Sequence, residues 1–440
     1  MVTISLIFCV FWFFVAFLWA YKNSTGLIDP VMLFLLYLFL QILGSWIVLQ
    51  MFSYLFVNHH VPQVKEAYVA QAFLLTSIGL IFFVLGGIFK AQFRSAKVRF
   101  VARLPVSYFT LALIVIFCYW IFFYFISQYG GLAEFADTRQ TFRSEGIRGQ
   151  GVLLFIPTTL LALTLLYYVK QRISFGQNQR SYFWLLIICL IMIVPALIIG
   201  FRGLVLIPLL QLIFLYHCAY KIEFKWRYAV VLVLLGFSFT TYGVYRQWSE
   251  VVVLNADLIE GVLKIAADRP ELFADIFLRV RGVDTIAAIM NYYDFSTYLF
   301  FFPSLVEALT IPIPSGLWDK PVPIIVDMGR SVFGSEVGGI SPTAIGELYM
   351  HAGVFGVSLG MFLLGFIGRL ITEKIRFCQS RQRADVLFSL FCTFFILFSE
   401  TLQGYLNLLV LSILSFAFIL VFLHGSQILS SLSTHAKRSL

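Results

Sequence analysis

The sequence predicts an all-α polytopic membrane protein with about 11 (10–12) transmembrane helices, and one large and one medium loop on the same side. Three observations predict it. Hydrophobic residues make up 60% of the 440 residues and Asp, Glu, Lys and Arg only 12%. A soluble domain has about 25% charged residues, so the charge needed to cover a water-facing surface is missing. The apolar residues fall in runs of about 20, the length a helix needs to cross a bilayer core. Basic residues concentrate in alternate connections between the runs. Soluble enzymes, secreted disulfide scaffolds and disordered chains are excluded.

The first run, about 3–21, lacks a basic leader and a small-residue cleavage site, and reads as a retained helix. Runs follow at about 30–57, 67–89, 104–127, 151–169, 181–200, 203–220 and 228–245. Three more lie at 342–368, 385–402 and 404–423. The chain divides into an N-terminal bundle of about eight helices (1–245, with a medium loop at 128–150), a large loop (246–341) and a C-terminal group of about three helices (342–440).

Orientation follows Lys and Arg. Connections 90–103, 170–180, 221–227 and 369–383 and the tail are basic and alternate correctly if all are cytoplasmic. With Lys22, that side holds 19 of the 31 basic residues and four of the 22 acidic ones (Asp29, Glu223, Glu373, Asp385). The N-terminus is then external. The net charge of +9 is a topology signal, and nucleic acid is not needed to explain it.

Both long loops then face outside, and loops of that length usually carry function. In the large loop, 250–267 and 271–292 have helical periodicity, with Pro270 opening the second helix. Residues 298–313 are apolar but interrupted by Pro303, Glu307 and Pro312, which predicts a re-entrant or interfacial segment.

The external basic residues are mostly arginine: Arg139, Arg143, Arg148, Arg202, Arg246, Arg269, Arg279, Arg281 and Arg330, against three lysines. The arginine fork grips phosphate oxygens bidentately and keeps its proton, which suits a lipid-linked phosphate or diphosphate. The competing reading is pairing with the 18 acidic residues on that side. Arg202 stands apart. It sits between two apolar runs with almost no loop around it, where a charge is costly and usually faces a polar cavity. Glu347 and His351, four apart, share one helix face. Either is a candidate general base toward a sugar hydroxyl, or the two form a buried structural pair. Glu400 is a second choice, and Asp137, Asp284 and Asp294 are candidates by location only.

The six cysteines show no disulfide or metal-ligand spacing. There is no P-loop, HExxH, GxSxG or paired DxD. The cytoplasmic connections are too short to fold a nucleotide-dependent domain.

Four stretches resemble the Wzy-type O-antigen and oligosaccharide repeat-unit polymerases. Residues 28–39, IDPVMLFLLYLF, are similar to the family's Asp/Asn and Pro opening of a span. Gly200-Phe201-Arg202-Gly203 resembles its Gly-x-Arg element, and IPIPSGLWDKPVP at 311–323 its Pro-rich stretch with Trp and Lys-Pro. The most specific is SPTAIGELYMHAGVFGVSLGMFLLG at 341–365, which resembles the closing "GE.Y" helix.

The resemblance implies a C-type glycosyltransferase of the bacterial inner membrane, working at the periplasmic face. It would move a growing glycan from undecaprenyl diphosphate to the non-reducing end of a new lipid-linked repeat unit. It would need no cofactor, nucleotide or metal, and its partners would include a separate chain-length regulator protein. The family's spacing of Arg, ten residues, then Gly is not kept: Gln150 and Ser341 stand in the glycine's place after Arg139 and Arg330. Arginine roles therefore carry over by residue type alone. Arg202, Arg139, Arg143, Arg279 and Arg281 are expected to bind the diphosphate. Glu347 is expected to be the base or its support, with His351, Arg246 and Arg330 supporting. An O-antigen ligase would use the same donor but transfer glycan to the lipid A core. A lipid-linked glycan flippase would call for internal repeats and mid-membrane charges, whereas no repeat is found, the interiors of most runs lack charge and one large loop dominates one side. A purely structural assembly partner fits the arginine content poorly.

Overall fold

The computed structural model describes residues 1–51, 64–89, 108–128, 147–174, 202–220, 282–292, 342–380 and 385–402, most of 405–419, and short pieces near 130–135, 187–195 and 310. Among these residues there is no strand. The helices are α1 (Val2–Asn23), α2 (Pro30–Phe39), a π turn (Leu40–Gly44) leading into α3 (Ser45–Met51), α4 (Glu66–Ile88), α5 (Tyr108–Ser127), α6 (Ile147–Ser174), α7 (Arg202–Ala219), α8 (Val283–Tyr292), α9 (Thr343–Ser380), α10 (Val386–Leu397) and α11 (Leu408–Ala417). The expected run at 228–245, the re-entrant segment at 298–313 apart from Thr310, and helix 250–267 lie outside the described residues.

Among the described residues, four helical stretches are long and apolar enough to cross a membrane: Val2–Asn23, Pro30–Ile47, Glu66–Ile88 and Thr343–Ser380. Their outward faces are consistent with lipid as the solvent. Ile7, Phe11 and Phe14 on α1, Ile116, Trp120 and Tyr124 on α5, and Phe355, Leu359 and Leu363 on α9 are all exposed and follow helical spacing. Water would penalise such stripes, whereas hydrocarbon does not. The protein is a helical membrane protein.

Among the described residues the interior holds two apolar clusters. One joins α1, α2, α4, α8 and α9, and the other joins α5, α6, α7, α10 and α11. Phe214 and Cys218 of α7 and Cys392 and Phe395 of α10 belong to the first cluster and tie the second to it. Inside a membrane no hydrophobic force drives helix against helix, so close approach through small residues matters more. The crossing of α4 and α9 shows it. A Cβ on Gly86 would collide with the carbonyl oxygen of Phe362, and one on Gly365 with that of Phe83. Glycine on both helices is what lets the two backbones touch.

One end of the bundle is fixed by Asp29. Its carboxylate is fully buried and caps α2, accepting from the Val31 amide at 3.0 Å. It also accepts from the Thr25 amide and hydroxyl, both at 3.0 Å, and from the Thr372 hydroxyl at 3.1 Å. The Thr25 hydroxyl in turn meets His217 Nε2 at 3.1 Å, and Gln379 Nε2 donates to the His217 carbonyl at 3.0 Å. One acid thus joins α2, α7 and α9. Arg369 adds a bond to Asn23 Oδ1 at 2.9 Å.

Two elements differ from the sequence expectation. The run 342–368 is not one straight span. Ala352 (φ −154°, ψ 29°) and Gly353 (φ 59°, ψ −145°) break α9 into Thr343–His351 and a longer part from Val354 to Ser380. A straight helix would separate Leu348 from Gly360 by about 18 Å. Instead a Cβ on Gly360 would collide with the Leu348 side chain, and one on Gly356 with the Leu348 carbonyl oxygen. The first part is folded back along the second. Gly353 has the left-handed φ that the reversal needs and that glycine adopts without steric cost. The second difference lies at α8. The expected helix 271–292 is present over Val283–Tyr292, but its residues 283–289 are all buried, not only one face. The reason is enclosure by α4, the π turn and the folded-back part of α9. Its N-terminal Gly282 sits so close that a Cβ would collide with the Gln41 carbonyl oxygen.

The glycine crossing makes a prediction. Gly86→Leu should destabilise the protein in detergent by about 1–3 kcal/mol or more through overpacking. Leu359→Ala on the lipid-facing stripe should leave the melting temperature nearly unchanged. Equal melting of wild type and Gly86→Leu would contradict the backbone contact.

Candidate functional site

Of the sequence candidates that fall on described residues, Glu347, His351, Glu400 and Asp284 gather where α9 folds back. Glu347 lies in the middle of the Thr343–His351 helix and is fully buried. Its Oε2 accepts from the Thr401 hydroxyl at 2.9 Å and from the Leu402 amide at 2.8 Å. Its Oε1 is 3.8 Å from His351 Nε2, as the spacing of four residues requires. Next to it the Ala344 amide donates to the Ser399 carbonyl at 3.0 Å. The short helix is thus bound at two points to the turn after α10.

That turn also carries Glu400. Its Oε2 accepts from Tyr405 OH at 2.7 Å and from Tyr37 OH at 3.1 Å. Tyr37 comes from α2, one turn before Gln41 in the π turn, so Tyr37 and Gln41 share a helix face. π turns frequently mark functional sites. Gln41 meets Gly282, which opens α8, and α8 packs Ile286 and Ile289 on Gly346 of the short helix. The contacts therefore close a ring of four segments: α2 with its π turn, α8, the folded-back helix, and the turn 398–402. Tyr37, Gln41, Glu347, His351, Glu400 and Thr401 are among the polar groups of those segments, and Tyr405 joins them through Glu400. Asp284 Oδ1 accepts from the Gly282 amide at 3.1 Å, which fixes the start of α8.

Backbone strain sits in the same place. Thr343 has φ 61°, a conformation that costs a β-branched residue about 1–3 kcal/mol and that persists only when surroundings enforce it. Its hydroxyl accepts from the Gly346 amide at 3.2 Å, capping the short helix.

Arg202 is the first residue of α7. α7 and α10 run antiparallel, since Cys218 lies against Cys392 while Gln211 shares a small cavity with Phe394. At 1.5 Å per residue, Glu400 lies about 12 Å beyond that cysteine level and Arg202 about 24 Å beyond it, on the same side. The arginine thus starts its helix at the same end of the bundle as the ring, farther toward the surface. Arg139, Arg143, Arg246, Arg279, Arg281, Arg330, Asp137 and Asp294 lie outside the described residues.

The sequence missed Tyr37, Tyr405 and Thr401. Of these, Tyr37 had a signal: Gln41, a polar residue four positions on, stands inside an apolar run and so marks a polar face. Thr401 and Tyr405 had none, because Thr401's partner is 54 positions away and the spacing of five from Glu400 to Tyr405, which crosses a turn, is not a helical neighbour spacing.

The burial of Glu347 separates two roles. Glu347→Gln keeps an oxygen for Thr401 and Leu402 and should melt close to wild type. Glu347→Ala leaves a buried hydroxyl and amide without their acceptor and should lose about 1–3 kcal/mol. Thermal melts of the purified variants measure this, and equal stability of all three would show that the ring does not depend on Glu347.

No family model, curated protein or solved structure matches the chain.

Proposed function

We propose that this protein polymerises undecaprenyl-diphosphate-linked oligosaccharide repeat units, as the Wzy-type enzymes it resembles do. The growing glycan passes from its lipid carrier to the non-reducing end of a new lipid-linked unit at the periplasmic face of a bacterial inner membrane. The protein then has about eleven spans, with the loops 128–150 and 246–341 external. The observation that carries this reading is the folded-back helix Thr343–His351. It lays the most specific stretch of the resemblance, Gly346-Glu347-Leu348-Tyr349, into the polar ring at the end of the bundle where α7 begins with Arg202.

The chemistry follows from the residues. The leaving diphosphate gains negative charge as its bond to the anomeric carbon lengthens. Arginines aimed at that charge stabilise the transition state more than the ground state. Arg202 heads this group, with Arg139, Arg143, Arg279 and Arg281 as its partners on the two external loops. Glu347 is enclosed and already accepts two hydrogen bonds, so it supports the site by holding the short helix on the turn 398–402. The donor is already activated as a diphosphate, so a nucleotide is not required.

In a strain lacking the protein, a surface-polysaccharide gel should show the ladder collapsed to core plus one repeat unit. Bare core with long lipid-linked polymer accumulating would assign the chain as a ligase instead. Bare core without such polymer would place the defect before polymerisation and refute both. Complementation with Arg202→Ala should restore membrane-inserted protein but no polymer. Normal polymer from that variant would remove Arg202 from the site.

A further inference from the structure

The two glutamates of the ring differ in access, and that difference bears on which one handles a proton. Glu347 is fully buried, with both carboxylate oxygens engaged inside the protein by Thr401, Leu402 and His351. Glu400, Tyr37 and Tyr405 are all only partly buried. Glu400 stands on a turn just after α10 ends at Leu397, so its side chain is not fixed by a helix of its own. A pair of phenols holds it, at 2.7 and 3.1 Å on the same oxygen, Oε2.

We propose that Glu400 is the general base for the acceptor sugar, with Tyr37 and Tyr405 orienting it and presenting aromatic surface to the ring of that sugar. The assignment rests on the polymerase reading above. A carboxylate flanked by two partly exposed tyrosines suits a carbohydrate. The carboxylate accepts a sugar hydroxyl, and the apolar face of a pyranose packs on an aromatic ring. The two phenolic donors hold the carboxylate at one rotamer before substrate arrives, which removes an entropic cost from the reaction. In the step itself, the acceptor O–H bond breaks and its proton passes to Glu400. The freed oxygen forms a bond to the anomeric carbon of the donor glycan as the bond from that carbon to the diphosphate oxygen breaks. The electron pair leaves on undecaprenyl diphosphate, whose charge faces the arginines. Glu400 then returns the proton to water. No oxidant, reductant or further reactant is required.

Glu400 also has the placement for this work. It lies about 12 Å short of Arg202 along the bundle. The anomeric carbon is bonded directly to a diphosphate oxygen, so this separation has to be bridged by the Arg202 side chain reaching toward the diphosphate and by the acceptor sugar on Glu400 reaching toward that carbon.

The test uses the full chain in proteoliposomes with purified undecaprenyl-diphosphate-linked repeat units. Glu400→Gln should lower the turnover of polymer formation by about 100-fold or more, the usual share of general base catalysis. The KM for donor and the melting temperature should stay near wild type. A purely structural role would instead lower the melting temperature and raise KM. Glu400→Gln that folds and polymerises at the wild-type rate overturns the assignment. If that variant fails to accumulate, the double change Tyr37→Phe with Tyr405→Phe decides, because it keeps both rings and the carboxylate. It should lower turnover about ten-fold with donor KM unchanged, and wild-type turnover there also overturns the assignment. Wild-type protein that makes no polymer refutes the function itself, a result distinct from an active wild type with an active Glu400 variant.

Discussion

The carboxylate of Glu347 is the interaction on which the polar ring depends. A short helix folded back into a membrane protein has ends whose backbone groups no lipid can satisfy. The Ala344 amide answers this at the N-terminal end by donating to the Ser399 carbonyl, and Glu347 ties the middle of the helix to the same turn through the Leu402 amide and the Thr401 hydroxyl. A hydrogen bond to a charged group is worth about 1.5–3 kcal/mol, and its loss in a dry interior costs the full desolvation of the orphaned donors. Because the turn 398–402 is held this way, Glu400 is held too, and with it the contact to Tyr37 on α2.

The two ends of the bundle use the same device for different purposes. At one end Asp29 collects four donors from α2, the preceding turn and α9, with both oxygens engaged and the side chain fully buried. Such a closed arrangement locks helices together and leaves little for a substrate. At the other end the groups are spread over four segments, Tyr37, Glu400 and Tyr405 keep partial exposure, and a threonine is held at positive φ. Strain and partial exposure together are what a working site retains and a purely structural joint eliminates.

Between these ends the packing is apolar and close. Gly365 of the α4–α9 crossing and the tight turn at Gly353 belong to one helix, α9. Its long part docks on α4 by backbone contact and its short part returns toward α8. The fold-back therefore starts from a well-anchored base. This is why a helix of about two turns can hold its position although it is too short to be stable alone.

The sequence by itself determined the class of the molecule, because composition and run length answer directly to the solvent: a chain this apolar and this poor in charge belongs in a bilayer. It also marked Glu347 and His351 as neighbours, since a spacing of four is a local property of a helix. Only the tertiary structure decided that the run 342–368 reverses at Ala352 and Gly353, because the same apolar residues suit a straight span equally well. It alone joined Tyr37 to Glu400 across 363 positions and Glu347 to Thr401 across 54. It alone enclosed both faces of α8, which periodicity marks as one-sided. Periodicity reports one helix at a time, whereas the partners of a buried polar group are set by where the other helices pass.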